Sequence, residues 1–423
     1  KAVGLDKGLF RAYLNLGIAL KETGQPDEAI LYCKEAIRIN PDYAEAHYNL
    51  GNAYAAKGKL DEAKQSYQKT IDINTEHVLA HWNIALIHLT LGNFKDGWKG
   101  YELRWKLENN EDKRSFPQPL WDGSSLTDRT LFIYTEQGVG DEIMFASCLS
   151  EVITQTELCL VECDKRLVPV FERSFPKAKV IEKIGATNPY PPELPPFDLV
   201  VPIGSLPLYL RPDLSSFHKF IAYLVPDVSK AEFWHNRFKE LGAGLKIGIS
   251  WRGGSNPYDR LKRSIDLAQW KELFSITGIF FINLQYGDCN YELREAKENM
   301  GVTIYDWEDS DPLKDLDGFA AQISALDLVV SVDSATVHMA GALGKPVWTL
   351  LPFVSDWRWM LDREDTPWYP TMRLFRQPSP GDWKSVIDRV EKELKALISA
   401  RFYGSARAAL YAVEESSDDK NSE

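Results

Sequence analysis

Between positions 10 and 111, apolar and small residues recur on two superimposed scales. Within each run of about a dozen residues they fall three or four apart, as on one face of an amphipathic helix. The whole pattern then returns after 34 residues: Leu16, Leu50 and Ile84; Gly17 and Gly51; Ala29 and Ala63; Gly24, Gly58 and Gly92. Each glycine of the last set closes an apolar run and precedes a charged restart such as Gln25-Pro26-Asp27-Glu28-Ala29, the mark of one helix ending and another beginning. The pattern predicts helical pairs over 10–43, 44–77 and 78–111. Extended backwards, the register sets Ala2 one period before Ala36, so the chain is expected to open inside a truncated repeat of a longer natural protein.

Polar, proline-containing sequence over 109–127 reads as a linker, and beyond it the period changes. Short apolar runs at 130–135, 158–163, 246–251, 279–284 and 326–332 alternate with helical patterns, which predicts parallel α/β units. Two strand ends carry chemistry. The first leads into Glu136-Gln137-Gly138-Val139-Gly140-Asp141 and a helix over 142–153. Its glycines allow a tight turn and close ligand approach, while Asp141 stands where a helix starts, as a cap or as a base. Without a third glycine, the turn argues against a dinucleotide-binding oxidoreductase. The strand 326–332 leads into Asp333-Ser334-Ala335-Thr336-Val337-His338, a helix start ended by Gly344 and Pro346. Such a start offers unpaired amides and a positive dipole end to phosphate oxygens. Between the two, the strand 246–251 opens into a basic glycine loop with Arg252, Lys262 and Arg263, and Gln285 ends the strand 279–284 as a nucleotide-contact candidate.

Composition narrows the choices. Hydrophobic residues are 44% and charged residues 26%, ordinary for a folded chain, and the net charge of −12 without a basic stripe disfavours nucleic acid. Five scattered cysteines without a CxxC pair point to a reducing, cytoplasmic setting without disulfide or zinc. No run is long and apolar enough to span a bilayer, so no integral membrane contact is expected. Residues 401–423 are expected to hold a C-terminal helix and an acidic, solvated tail.

The N-terminal period resembles the tetratricopeptide repeat family, whose arrays present a concave peptide-binding surface. Asn15, Asn49 and Asn83 recur one period apart on the first helix of each pair, either as peptide contacts or as caps. The run from Val329 to Pro346, with the Gly138 to Asp141 turn, resembles the bacterial heptosyltransferase family, glycosyltransferase family 9, of the GT-B fold; the likeness covers about 128–397. The segment around Ser355-Asp356-Trp357-Arg358-Trp359 is similar to bacterial members that join such a domain to tetratricopeptide repeats.

The resemblance implies an α superhelix at 1–108, then two Rossmann-like lobes: 128–235 on the acceptor side and 236–400 on the nucleotide-sugar side. It also implies a metal-independent, inverting enzyme whose nucleotide-sugar is substrate rather than cofactor. Asp141 carries over as the base, and Asp333, Ser334, Ala335, Thr336 and His338 as diphosphate contacts, with Arg263, Lys262 or Arg252 as a basic partner. Gly138, Gly140, Trp357 and Arg358 are acceptor or sugar contacts under this reading, although the tryptophans could equally pack the lobe interface. Asp309-Ser310-Asp311 imitates a metal motif but lies in an acidic loop. The expected acceptor is a protein docked by the repeats; the alternatives are an envelope-glycan transferase and a non-catalytic scaffold.

Overall fold

A computed structural model describes residues 8–107, 114–184, 195–217, 220–254 and 257–418. The expected half-repeat before residue 8, the first part of the linker and the last five residues lie outside these. Helices α1 (Leu9–Glu22) and α2 (Pro26–Ile39), α3 (Ala44–Ala56) and α4 (Leu60–Ile73), and α5 (Val78–Thr90) and α6 (Phe94–Tyr101) form the three pairs. Gly24, Gly58 and Gly92 hold φ of 80°, 71° and 78° at the turns, a left-handed backbone that favours glycine. Close helix approach explains the other small positions, since a Cβ on Gly51 would lie 2.5 Å from the Tyr67 ring. The third pair is shorter than predicted: α6 stops at Tyr101, and 102–106 tightens into a 3₁₀ turn that sends Arg104 inward.

Among the described residues the α/β part contains two all-parallel sheets. Strands β1 (Thr130–Tyr134), β2 (Leu158–Cys163), β3 (Ala178–Glu182) and β4 (Leu199–Pro202) take the order β3-β2-β1-β4. Strands β5 (Leu245–Ser250), β6 (Ile279–Asn283), β7 (Ile304–Tyr305), β8 (Leu328–Val332), β9 (Val347–Leu351) and β10 (Met372–Arg376) take the order β10-β9-β8-β5-β6-β7. Parallel pairing requires crossovers. In the first lobe the helices are α7 (Val139–Phe145) and α8 (Leu149–Ile153) between β1 and β2, α9 (Val168–Ser174) between β2 and β3, and α10 (Leu206–Leu210) after β4, and α11 (Val228–Glu240) leads into the second lobe. There the helices are α12 (Pro257–Arg263), α13 (Lys271–Phe274), α14 (Asn290–Met300), α15 (Leu316–Ser324), α16 (Ala335–Ala342) and α17 (Trp383–Asp418). Central strands β5 and β8 are buried throughout, as sheets covered on both faces must be.

Three expectations are corrected. The helix over 142–153 is interrupted at 146–148, where the Ser147 hydroxyl donates to the Met144 carbonyl and competes with the helical ladder. The second part of the linker is no spacer: Trp121 donates its amide to Val200 and Val200 donates to Pro119, adding a short edge beside β4. The boundary drawn between 235 and 236 falls inside α11.

Nor do the repeats stand apart. Leu89, Phe94, Trp98 and Tyr101 bury into one apolar core with Phe145 and Phe217 of the first lobe and Trp357, Trp359 and Trp368 of the second. Trp98 packs edge-on against Trp357 at 5.4 Å, and its indole donates to the Arg211 carbonyl at 2.9 Å. All five cysteines are buried free thiols, and no helix among the described residues is long and apolar enough to cross a membrane.

Candidate active site between the two lobes

Each sheet is built outward from a central strand, β1 in the first lobe and β5 in the second: the chain first adds strands to one side of it, then returns from the edge strand, β3 or β7, to add strands on the other side. Ligands of open α/β sheets sit outside the carboxyl ends of strands at these switch points. A cavity of about 770 Å³ lies there, lined by Gly140 and Asp141 from the first lobe and by the loops after β5, β6, β8 and β9 from the second.

The wall from the second lobe is the N-terminal end of α16. Ser334 precedes the helix in extended conformation and makes no side-chain cap, so the first amides of the helix keep their capacity for an anion. Asp333 and Ala335 line the cavity with it. A Cβ on Gly253 would lie 2.4 Å from the Asp333 carbonyl, so only glycine lets the β5 loop close onto this end of the helix. Arg263 Nη1 lies 3.3 Å from Asp333 Oδ2. Burial raises the Asp333 pKa, and the Arg263 charge works against that rise.

Deeper in, His338 stacks on Trp359 with ring centroids 5.3 Å apart, and its Nδ1 meets the Tyr369 hydroxyl at 2.8 Å. Burial, reinforced by the Arg358 charge, pushes the imidazole pKa down to about 3. The ring is therefore neutral near pH 7 and supplies a dipole rather than a charge.

The opposite wall is the glycine turn. Asp141 Oδ2 accepts from the Gly138 amide at 3.3 Å, and Oδ1 takes an ion pair from Arg358. The lobes touch here without a gap, since a Cβ on Gly140 would stand 3.1 Å from His338 Cδ2 and 3.6 Å from Ala335 Cα. Arg358 also pairs with Asp356 at 2.6 Å and lies over the Trp357 ring at 4.7 Å. Burial alone would weaken its charge, but the Asp141 and Asp356 carboxylates hold its pKa well above the usual arginine value. Arginine and aspartate balance in number along the cavity, and of its arginines Arg263 lies against Asp333 at the start of α16.

A tetratricopeptide repeat family model matches residues 20–79, and the glycosyltransferase family 9 (heptosyltransferase) model matches residues 312–359. The second match spans β8, α16 and Arg358. The chain joins tetratricopeptide repeats to a family 9-like glycosyltransferase domain. Protein FlbA of Caulobacter vibrioides is 34% identical over 318 residues, covering 72% of this chain and 53% of FlbA, so the chain spans about half the length of that relative. The glycosyl transferase family 9 structure from Veillonella parvula is 13% identical, covering 60% of this chain and 87% of that one at a TM-score of 0.43. The E. coli ADP-heptose lps heptosyltransferase II structure is 14% identical, covering 64% and 99% at a TM-score of 0.43.

Within the family 9-like domain, the residues singled out in the sequence separate. Asp141, Gly140, Arg252, Arg263, Asp333, Ser334, Ala335, His338 and Arg358 line the cavity. Gln285 lines it too, but its amide is committed to the β5 loop: Oε1 accepts from the Ser250 hydroxyl and the Trp251 and Arg252 amides, and Nε2 donates to the Arg252 and Tyr286 carbonyls. It shapes the loop rather than reaching for a base.

Four candidates are not among the cavity-lining residues. Thr336 is buried on the inner side of α16, Lys262 is exposed on α12, and Gly138 sits behind Asp141. Trp357 packs against Trp98, Tyr101 and Trp368 where the repeats meet the lobes. Asp309 pairs with Arg237 and Asp311 with Lys314, so both carboxylates of the metal-like motif are engaged elsewhere.

The three asparagines differ as well. Asn15 is exposed, Asn49 donates to the Glu45 carbonyl of its own helix, and Asn83 donates to Asn52 Oδ1 at 3.2 Å. Sequence reasoning missed Asp356, Tyr286 and Tyr369, and placed Arg260 in the basic loop with Lys262 and Arg263 without singling it out. For Asp356 a signal existed in its spacing of two residues from Arg358; the two tyrosines carry none.

Proposed function

We propose that this protein is a glycosyltransferase that moves a sugar from a nucleotide-diphosphate donor to an acceptor hydroxyl, the acceptor being a protein presented by the repeats. The observation that carries the reading is one cavity holding a carboxylate from the first lobe, Asp141, opposite an anion-accepting helix end and Arg263 from the second.

In this reading Asp141 takes the acceptor proton as the acceptor oxygen bonds to the anomeric carbon, while the bond from that carbon to the phosphate oxygen breaks. An ionised carboxylate has about four lone-pair sites, so Asp141 can accept that proton beside its bonds to Gly138 and Arg358. The leaving diphosphate gathers charge where the α16 amides, Arg263 and Arg260 face it, so no metal is called for. Base and leaving group on opposite walls favour inversion at the anomeric carbon. The exposed amide of Asn15 and the fusion of the repeats to the domain support a peptide-bearing acceptor.

The test is incorporation of labelled sugar from UDP-, GDP-, ADP- and CMP-linked donors into protein, lipid and glycan fractions of a bacterial lysate. One donor is expected to label protein, with Asp141→Asn lowering incorporation by roughly 10²- to 10⁴-fold at unchanged donor affinity. Label confined to lipid or free glycan would replace the protein acceptor by an envelope glycan. Label in no fraction from any donor would remove the enzymatic reading.

A further inference from the structure

The turn that carries Asp141 is not held by its own lobe alone. Glu136, two residues beyond the end of β1, is 1% exposed, and both its oxygens are taken by Arg104 from the end of the repeats. Arg104 Nε donates to Oε2 at 2.8 Å and Nη2 to Oε1 at 2.6 Å, a bidentate fork. Arg104 is itself buried, reaches Glu102 and the Ser205 hydroxyl at 2.7 Å, and lies over the Tyr101 and Trp105 rings at 4.8 and 4.5 Å. Glu136 also accepts from the Gly204 amide at 3.1 Å, and a Cβ on Gly204 would lie 2.6 Å from Glu136 Oε1. The turn after β4 admits this pair because residue 204 has no side chain.

The next residue is conformationally unusual. Gln137 holds φ of 64°, a left-handed backbone uncommon for a residue with a side chain. Its carboxamide meets the Tyr101 hydroxyl at 2.9 and 3.1 Å. Tyr101 also packs on Trp357 at 5.5 Å, and Trp357 underlies Arg358, the cation paired with Asp141. The repeats therefore reach Asp141 from two directions, through Glu136 and Gln137 on the chain before it and through Trp357 and Arg358 across the cleft.

We infer that Arg104 and Tyr101, at the end of the repeat array, are positioning residues for Asp141, so that the repeats complete the acceptor wall of the cavity rather than serve only as a docking arm. The catalytic part of this inference rests on the reading of Asp141 as the base. Arg104→Lys keeps the charge and loses the fork. Tyr101→Phe keeps the ring against Trp357 and removes only the contact to Gln137.

Two measurements on the full chain test it. In both variants amide exchange over 136–141 is expected to accelerate by about tenfold or more, with exchange over β8 and α16 unchanged. Affinity for UDP and ADP by calorimetry should stay within about twofold. In the labelling assay, kcat should fall roughly 10- to 100-fold at unchanged acceptor KM, the size expected for a misplaced catalytic group, and neither substitution should cost more once Asp141→Asn is present. Unchanged exchange over 136–141, or an equal loss of kcat with Asp141 and with Asn at that position, overturns the inference. Should Arg104→Lys fail to fold, Tyr101→Phe decides alone. Full transfer by Asp141→Asn itself overturns the base reading and the catalytic part with it, a result distinct from the exchange measurement, which judges the support of the turn without reference to chemistry.

Discussion

The two walls of the cavity are built on different plans. The wall at α16 draws its polar groups from a single lobe, although Gly140 of the first lobe packs against it: Gln285 fixes the β5 loop, Asp333 and Arg263 pair, and Trp359 and Tyr369 flank His338. The wall at Asp141 is shared by three parts of the chain: the first lobe supplies the turn, the repeats hold it through Arg104 and Tyr101, and the second lobe supplies Arg358. The anion site takes its polar groups from one lobe, whereas the Asp141 carboxylate is in place only when all three parts meet. Binding and transfer should therefore respond separately to damage.

The largest expected effect comes from the point where all three parts meet. Trp98→Ala empties a site between Trp357, Trp368 and the Arg211 carbonyl, and removal of a buried tryptophan side chain costs about 3–5 kcal/mol. Urea unfolding should register a loss of that size. At temperatures where the variant remains folded, transfer should collapse while UDP or ADP affinity changes little. A parallel loss of both would mean that the walls are one unit and would break the comparison.

The reverse experiment is smaller. Arg263→Gln removes the cation beside the α16 amides, and a hydrogen bond to a charged group contributes about 1.5–3 kcal/mol, so nucleotide diphosphate affinity should weaken by roughly 10- to 100-fold. Exchange over 136–141 should not change. Unaltered affinity would put the diphosphate away from α16.

How much of this was legible depends on the range of the signal. The repeats, the parallel strands and the helix start at Asp333 are local patterns, and the structure follows them to within a few residues. Asp141 was legible as a helix start after a glycine turn. Its ion pair with Arg358 was not, because 217 positions separate the two and only the docking of the lobes brings them together. The same holds for Arg104 and Glu136, which read as an ordinary charged pattern in a repeat and a polar residue after a strand. Trp357 was ambiguous between stacking on a ligand and packing, and what decided it was Trp98 and Tyr101 arriving from the repeats. Thr336 is buried rather than among the cavity-lining residues, because a motif gives the helix but not which side of it faces the cavity.

His338 offers a more modest test of how closed the α16 wall is. Its pKa is about 3 in the folded chain, through burial first and the Arg358 charge second, against about 6.5 for an unperturbed histidine. Above pH 6.5 the ring is neutral in folded and unfolded chains and the linkage is absent. Between pH 6.5 and 3 the unfolded chain binds a proton that the folded chain refuses, so stability falls with falling pH, by up to roughly 1.4 kcal/mol per unit. His338→Gln removes that slope. Urea titrations at pH 7, 6 and 5 should find wild type losing more stability than the variant; equal slopes would mean that the ring is solvated and the wall open.

The smallest effect belongs to the three repeat asparagines, none of which lines the cavity. Asn15 is exposed and Asn49 bonds only within its own helix, while Asn83 shares Asn52 Oδ1 with the Tyr67 hydroxyl, which would still satisfy that oxygen if Asn83 were lost. Replacing all three by Ala should therefore leave the melting temperature and exchange over 136–141 nearly unchanged. If these amides hold a peptide-bearing acceptor, each lost hydrogen bond is worth about 0.5–1.5 kcal/mol at most, and competition from water leaves roughly a 2- to 10-fold rise in acceptor KM with kcat intact. That outcome would divide the array by function, its far helices holding the acceptor and its last helix holding the turn. A fall in kcat instead, with KM unchanged, would mean that the whole array acts on Asp141 and that the acceptor is recognised elsewhere.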